Sequence, residues 1–389
     1  MAFGVYVHIP YCLQRCIYCD FATYQTSQIL PPSEYIERVK KEIRVKGPAV
    51  GPRPLKTLYF GGGTPSLLEP ELLGAVVQEL KDSGFSLEAG AEVTLEINPA
   101  TLNPDKLSAL MEVGFNRFSV GAQSFSDDLL KKANRIHSAQ DTKDTLRLLK
   151  ESASNFSLDI LFALPTQTLD DLRRDLDEAL RWSPPHVSPY CLTVPEGHPF
   201  AKGRAPDEEQ VSMFELIEKT LNAGGLDLYE ISNFAKPGLE SRHNLLYWND
   251  EEYWGVGLSS HSYLHRFKWG CRFWNPRNID EYTSYIDALK KWSLEHMEEN
   301  RHERLELRQS LTDFFHTSLR KTSGLDYMSF AGKYRAKPHD VASNAIKSMQ
   351  NQGLISDSGQ ALKLTKEGRL VSNRVFEEFT FMSNPPINV

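Results

Sequence analysis

The sequence predicts a mixed α/β chain: a partial (β/α)6 barrel followed by a smaller C-terminal winged-helix-like domain. Three observations carry that expectation. Short β-rich runs alternate strictly with amphipathic stretches of helical length over the first two hundred residues. Gly, Pro or Asn marks each change of period. The character of the chain then shifts after about Phe200, where an isolated helix is followed by a stretch crowded with Trp and Tyr.

Taken in order, the expected strands are Gly4–Ile9, Thr57–Phe60, Ala91–Ile97, Arg117–Val120, Ser157–Phe162 and Val187–Leu192. Between them the expected helices are Pro32–Lys46, Pro70–Ser83, Pro104–Val113, Thr142–Ser152 and Leu169–Trp182, with the Pro/Gly cluster Gly47–Pro54 read as a surface loop. Strand, helix, strand in alternation implies parallel pairing through right-handed crossovers. Six units fit an open or partial barrel better than a closed eight-unit one, and a doubly wound open sheet is the alternative arrangement of the same elements. Beyond them, Asp207–Ala223 reads as a helix and Tyr247–Trp274 as an aromatic extension closing one side of the core. A charged segment, Glu295–Leu319, reads as helix. Val341–Gln352, Gly353–Ser356, Ala361–Thr365 and Glu367–Phe379 follow as helix, strand, strand, helix. The expected division is 1–240 for the barrel, 241–300 for the extension packed on it, and 301–389 for the C-terminal domain, with a frayed tail from Asn384.

The 389 residues are 40% hydrophobic and 24% charged, enough apolar material for a substantial core. A formal charge of -7 is unlike the basic footprint of a nucleic-acid binder, and no apolar run reaches the roughly 20 residues of a membrane span. No nucleic acid and no stable membrane insertion are therefore expected. Five cysteines, three of them within eight positions, suit metal ligation in a reducing compartment rather than a disulfide framework. The first residues lack the layout of a secretory signal, so the cytoplasm is the expected location.

The chemistry concentrates on Cys12-Leu-Gln-Arg-Cys16-Ile-Tyr-Cys19, directly after the first strand. In a parallel fold this loop sits at the carboxyl end of the sheet, where sites are built. Three thiolates can hold a four-iron cluster and leave one iron open. Zinc with a fourth ligand such as His8, or a Cys16/Cys19 dithiol, are the competing readings; the dithiol leaves Cys12 unused, and the spacing favours the cluster. Gly61-Gly62-Gly63-Thr64 permits close backbone approach and offers N–H groups to an amino acid or carboxylate. Glu96, Gln123, Arg135 and Asp159 stand at or just past strand ends on the same face.

With its aromatic Tyr18 before the last cysteine, the cysteine spacing resembles the radical S-adenosylmethionine superfamily. That resemblance implies a [4Fe–4S] cluster on Cys12, Cys16 and Cys19, whose open iron binds S-adenosylmethionine, and chemistry supplied by the cofactor. More narrowly, the chain from Gly4 to Phe379 resembles the oxygen-independent coproporphyrinogen III oxidase group and its haem chaperone branch. Tyr6-Val-His8-Ile-Pro10, Gly61–Pro65, Glu96–Pro99, Gly121–Ser124, Asn134–His137 and Asp159–Pro165 carry it. It implies that Tyr6, Gly62, Gly63, Thr64, Glu96, Gln123, Arg135 and Asp159 contact S-adenosylmethionine.

Two features separate the branches. The oxidases carry a further cysteine two residues after Cys19, where this chain has Phe21, so coproporphyrinogen dehydrogenase activity is not expected. Arg242-His243-Asn244-Leu245-Leu246-Tyr247-Trp248 matches the His-Asn-x-x-Tyr-Trp motif of the haem chaperones, which makes His243 the candidate haem ligand. The resemblance then implies haem as cargo, a haem-acceptor protein, and an electron donor if the cluster is redox active. Decarboxylation of coproporphyrinogen III in porphyrin biosynthesis is the alternative. Ala163 and Thr166 depart from the glycines usual in the group's Gly-Leu-Pro-Gly. Cys191 and Cys271 read as buried thiols, His8 and His261 as loop-orienting, and His137 as a second candidate contact for haem or cofactor.

Overall fold

The computed structural model describes residues 2–153, 155–296 and 299–385. All six expected strands form: β1 (Phe3–Ile9), β2 (Leu55–Gly62), β3 (Leu87–Ile97), β4 (Arg117–Gln123), β5 (Phe156–Phe162) and β6 (His186–Cys191). They pair in chain order and in parallel, Gly4 opposite Thr57, Leu58 opposite Val93, Thr94 opposite Arg117. Helices α1 (Pro32–Val50), α2 (Pro70–Asp82), α3 (Pro104–Val113), α4 (Asp127–Lys132), α5 (Ala139–Ser152) and α6 (Leu169–Arg181) fill the crossovers. Local chemistry sets their ends: Asn103 caps α3, and Gly114 leaves it with φ 114°. Ser138 with Asp141, and Thr168 with Asp171, form capping boxes on α5 and α6.

The sheet does not stop at these strands. After α7 (Asp207–Ala223), β7 (Asp227–Glu230) and β8 (Asn233–Ala235) extend it antiparallel beyond β6. After α8 (Arg242–Trp248), β9 (Glu252–Val256) pairs parallel with β1, and β10 (His261–Leu264), β11 (Cys271–Trp274) and β12 (His302–Arg304) follow antiparallel. The order is β12-β11-β10-β9-β1-β2-β3-β4-β5-β6-β8-β7. Thus the aromatic extension continues the sheet, with α9 (Ile279–Ala288) packed beside α1.

Beyond it, α10 (Leu307–Arg320), β13 (Leu325–Asp326), α11 (Tyr327–Tyr334), α12 (Pro338–Asn351), β14 (Ile355–Asp357) and β15 (Ala361–Leu364) give the element order of a winged helix. A separate apolar core built on Phe315, Phe330, Ile346 and Val375 holds this unit together. Two ion pairs, the exposed Lys366–Glu215 at 2.8 Å and the half-buried Arg369–Glu218 at 2.9 Å, tie it to α7. Among the described residues no helix is long and apolar enough to cross a membrane.

Two expectations are corrected. The stretch Gly47–Pro54 is not all loop, because α1 runs through Gly47 and Pro48 to Val50. Gly47 lets the helix lie on the Phe85 ring, which a Cβ would approach to 3.2 Å, and Pro48 sits in the last turn, where its missing N–H forfeits a single bond. Likewise Glu295–Leu319 is α-helical only from Leu307, after a single 3-10 turn at Glu299–Arg301. Residues 302–304 pair instead with Cys271–Phe273, a contact distant in sequence, and 297–298 lie outside the described residues. The C-terminal helix divides at Val371 into Lys366–Leu370 and Ser372–Glu378. Of the expected frayed tail, Asn384 is held by the Arg308 N–H at 2.9 Å, and 386–389 lie outside the described residues.

Candidate functional site

Alternation along each strand sorts the side chains into two sets. Phe3, Val5, Val7 and Ile9 of β1, Leu58 and Phe60 of β2, and Val93, Leu95 and Ile97 of β3 enter the apolar core beneath the helices. The intervening positions are polar: Tyr6 and His8, Thr57 and Tyr59, Glu92, Thr94 and Glu96, Arg117 and Ser119, Ser157 and Asp159, His186 and Ser188. Residues of β2 through β6 from this second set line one cavity of about 410 Å³, so the sheet curls around it. Buried polar walls of this kind are costly unless hydrogen-bonded, and they mark a built site.

All three cysteines open onto the cavity. Their loop starts in the short strand Tyr11–Cys12, paired with Tyr24–Gln25, and is pinned on its far side by Asn134. The Asn134 side chain accepts from Gln14 Nε2 at 2.6 Å and donates to the Arg15 carbonyl at 2.9 Å. Each sulfur has a polar neighbour: Cys12 accepts from Thr64 Oγ1 at 3.8 Å, Cys16 from Arg135 Nη1 at 3.3 Å, and Cys19 Sγ lies 3.9 Å from Thr23 Oγ1. Burial pushes the Cys12 thiol above its ordinary pKa. Among the described residues no three His, Cys, Asp or Glu side chains gather closely enough to hold a metal ion. The thiols instead stand around a shared space, a donor set that fits a cluster whose irons each take one thiolate. His8, the fourth ligand of the zinc reading, is committed elsewhere, Nδ1 to Tyr6 Oη at 3.1 Å and Nε2 to the Ala22 carbonyl at 3.0 Å.

The glycine turn is stitched to this loop. Gly63 N–H donates to the Ile9 carbonyl at 2.8 Å and Thr64 N–H to the Tyr11 carbonyl at 2.7 Å; Gly62, at φ 113°, donates to Glu96 Oε2 at 3.0 Å. These N–H groups, expected to face a ligand, are spent inside the protein. What the glycines provide is proximity, since a Cβ on Gly63 would come within 2.6 Å of the Tyr11 carbonyl. Glu96 also accepts from the Tyr59 hydroxyl at 2.8 Å. Burial, with Asp159 nearby, raises the Glu96 pKa to about 7, and burial lifts Asp159 to about 6. Gln123 lines the cavity from a left-handed backbone, φ 63°, a strain that accumulates at functional sites. Arg135 crosses the mouth, donating to Asn98 Oδ1 and, at 2.8 Å, to the Gly121 carbonyl. Ala163 and Thr166 take φ 59° and 67°, which explains the glycines usual at both positions.

Gly62, Gly63, Thr64, Glu96, Gln123, Arg135 and Asp159 therefore share the cavity with the cysteines, and three sequence candidates, Tyr6, His243 and His137, do not line it. Tyr6 lies behind Tyr59, ring centroids 6.0 Å apart. His243 lies near the strand starts, on α8, which plugs that end. There the Glu92 carboxylate accepts the N–H groups of Arg242 at 3.0 Å and His243 at 2.9 Å, and Ser241 caps the helix. The His243 ring is 2% exposed. Its Nδ1 meets Thr57 Oγ1 at 2.7 Å, its Nε2 meets Tyr247 Oη at 2.8 Å, and it stacks on Tyr59 at 5.0 Å. Burial, with Arg117 adding to it, lowers its pKa to about 3, so the ring is neutral with both nitrogens engaged. His137 is also buried, its Nε2 3.2 Å from the Ala122 carbonyl. His261 stacks on Trp274 at 5.8 Å; Cys271 is buried and Cys191 half-buried.

Sequence reasoning missed Asn98, Ser119, Ser188, Tyr190 and Asn244 in the lining. The period-two polar positions on strands of a parallel sheet, which usually read as continuous apolar runs, were the available signal for the strand residues among them.

Against known proteins, residues 6–179 match the Radical SAM superfamily and residues 305–371 the HemN C-terminal domain. The chain is 35% identical to "Heme chaperone HemW" of Bacillus subtilis (strain 168), covering 97% of this chain and 98% of that one. It is 32% identical to the protein of that name from Lactococcus lactis subsp. lactis (strain IL1403) and 31% to the one from Escherichia coli (strain K12), each over 97% of both chains. Among solved structures, coproporphyrinogen III oxidase (HemN) from Escherichia coli superposes with a TM-score of 0.83 over 97% of this chain and 90% of its own, at 21% identity. That likeness is one of fold.

Proposed function

The chain belongs to the radical SAM superfamily and, within it, to the family of proteins named heme chaperone HemW, and on that premise we propose that it binds haem and passes it to an acceptor protein. In this reading Cys12, Cys16 and Cys19 hold a [4Fe–4S] cluster. Its open iron takes exchangeable S-adenosylmethionine, and an electron donor serves the cluster if it is redox active. The cluster, when bound, supplies electron transfer to that cofactor. Glu96 and Asp159 present carboxyl groups to ribose hydroxyls or an ammonium, Arg135 faces a carboxylate, and the Gly62–Gly63–Thr64 backbone sets the cavity floor close to the thiols.

One observation carries the choice of chaperone over oxidase: Phe21 stands 63% exposed at the lip of the cavity, where the oxidases have a further thiol. A phenyl ring offers neither thiolate nor redox chemistry there. His243 is the proposed haem ligand in a conformation that releases its ring from Thr57 and Tyr247.

Anaerobic reconstitution, followed by iron, sulfide and haem quantification on one sample, tests this reading. Four irons, four sulfides and bound haem per chain are expected, with the iron and sulfide lost in Cys12→Ala, Cys16→Ala and Cys19→Ala. Robust turnover of coproporphyrinogen III in a parallel assay would replace the chaperone reading with the oxidase one. Zinc in place of iron would overturn both.

A further inference from the structure

Arg117 opens β4 and lines the cavity at the end remote from the cysteines, with its side chain 3% exposed. A guanidinium carries five N–H donors, and buried donors are normally hydrogen-bonded. Here Nε is buried without a partner, and among the described residues no hydrogen bond reaches this side chain. Its nearest counter-charge is Glu92, whose Oε2 stands 4.0 Å from Nε, and both Glu92 oxygens are already spent on the first N–H groups of α8. Two neighbours share the deficit. Thr94 Oγ1, opposite Arg117 in the register of β3 and β4, and His186 Nδ1 on β6 are also buried without partners. A buried cation with its donors unspent, facing a cavity, is matched by an anion that arrives with a ligand.

The position of Arg117 narrows the choice of anion. β4 runs seven residues from Arg117 to Gln123, about 20 Å at roughly 3.3 Å per residue, so a carboxylate held at the cysteines does not also reach the guanidinium. Arg117 is instead close to His243, because Glu92 Oε1 takes the His243 N–H at 2.9 Å while Oε2 faces Arg117. Ser241 and Asn244 of α8 form part of the cavity wall. A movement of α8 that frees the His243 ring therefore also uncovers the guanidinium.

We propose that Arg117 is the receptor for a propionate of haem. The inference rests on the haem-chaperone reading and deepens it: one displacement of α8 supplies both an imidazole for the iron and a planar fork for the carboxylate. Arginine suits the second task, since its donors meet both oxygens of a carboxylate at once. Nε stays toward Glu92, and the two terminal nitrogens take the propionate.

Titration of the anaerobically reconstituted full chain with haem and with haem dimethyl ester, followed by difference absorbance, tests the assignment in wild type, Arg117→Gln and Arg117→Lys. Wild type binds haem about tenfold more tightly than the ester, a difference of about 1.4 kcal/mol. Arg117→Gln abolishes that preference by weakening haem and leaving the ester unchanged. Arg117→Lys keeps the charge beside Glu92 but lacks the fork, so the preference falls about threefold, and this variant carries the test if Arg117→Gln does not fold. Equal binding of haem and ester by wild type overturns the assignment. So does an equal loss of both ligands in Arg117→Gln, the mark of a structural role, or a wild-type preference in Arg117→Lys. A fall in S-adenosylmethionine affinity with the haem preference intact gives the guanidinium to the nucleoside cofactor and overturns the propionate site while leaving the haem reading standing. A wild-type chain that takes up neither haem nor its ester overturns the functional reading itself.

Discussion

Glu92→Gln is the perturbation that best tests how α8 is held. The Glu92 side chain is 3% exposed, and its two oxygens accept the first two N–H groups of the helix at 3.0 and 2.9 Å. A hydrogen bond to a charged group contributes about 1.5–3 kcal/mol, and an amide retains a single neutral acceptor worth about 1 kcal/mol. The helix dipole adds to the loss. Arg117, 4.0 Å away and buried, is left without its nearest counter-charge, which costs more in the same direction. The sum is about 3 kcal/mol, and at 1.36 kcal/mol per tenfold it raises the opened population of α8 by about 150-fold. Hydrogen exchange of a peptide spanning residues 241–249 reads this directly. Ser241→Ala, which removes the cap alone at about 1 kcal/mol, is expected to give only about a fivefold change. If Glu92→Gln leaves exchange in that peptide within threefold of wild type, the carboxylate does not latch the helix, and the argument for a releasable His243 falls with it.

Four further outcomes follow from the geometry. Gly63→Ala should lower stability by about 1–3 kcal/mol through the clash with the Tyr11 carbonyl, and the reconstituted variant should hold less iron because Cys12 is the next residue; a wild-type melting temperature would contradict this. Thr166→Gly, by relieving a β-branched residue at φ 67°, should stabilise by about 1 kcal/mol, read as a higher denaturant midpoint. The folded-state pKa of Glu96, about 7, lies above its ordinary 4.5. Stability from this group is therefore full below pH 4.5 and is lost as pH rises through about 7, a fall that thermal melts at pH 5 and pH 8 should find missing in Glu96→Gln. By the same linkage, a cationic ligand that pairs with ionised Glu96 should bind more tightly at pH 8 than at pH 6, measured by calorimetry.

Much of the barrel and most of the set that lines the cavity with the cysteines were legible in the sequence because local signals agreed there. Cysteine spacing, glycines at a strand end and polar residues at strand termini are short-range facts. What escaped depended on contacts between distant segments. The helix through Gly47 and Pro48 needed the Phe85 ring, and residues 302–304 became a strand only because Cys271–Phe273 offered a partner. His243 illustrates the same limit within a motif. Its identity was readable, whereas its burial against Thr57 and its distance from the cysteines depend on Glu92, 151 residues away in sequence, gripping its amide.

The two outermost strands of the long sheet are β12 and β7, three and four residues long, carrying His302-Glu303-Arg304 and Asp227 to Glu230. So short and so charged a border gives an incoming peptide little backbone to zip onto. On the β7 side, Glu230 is already bridged to Lys321. A twelve-stranded sheet would otherwise be a template for fibrils. Here it ends in two blunt hems, and any neighbour must recognise helices and loops rather than extend the weave.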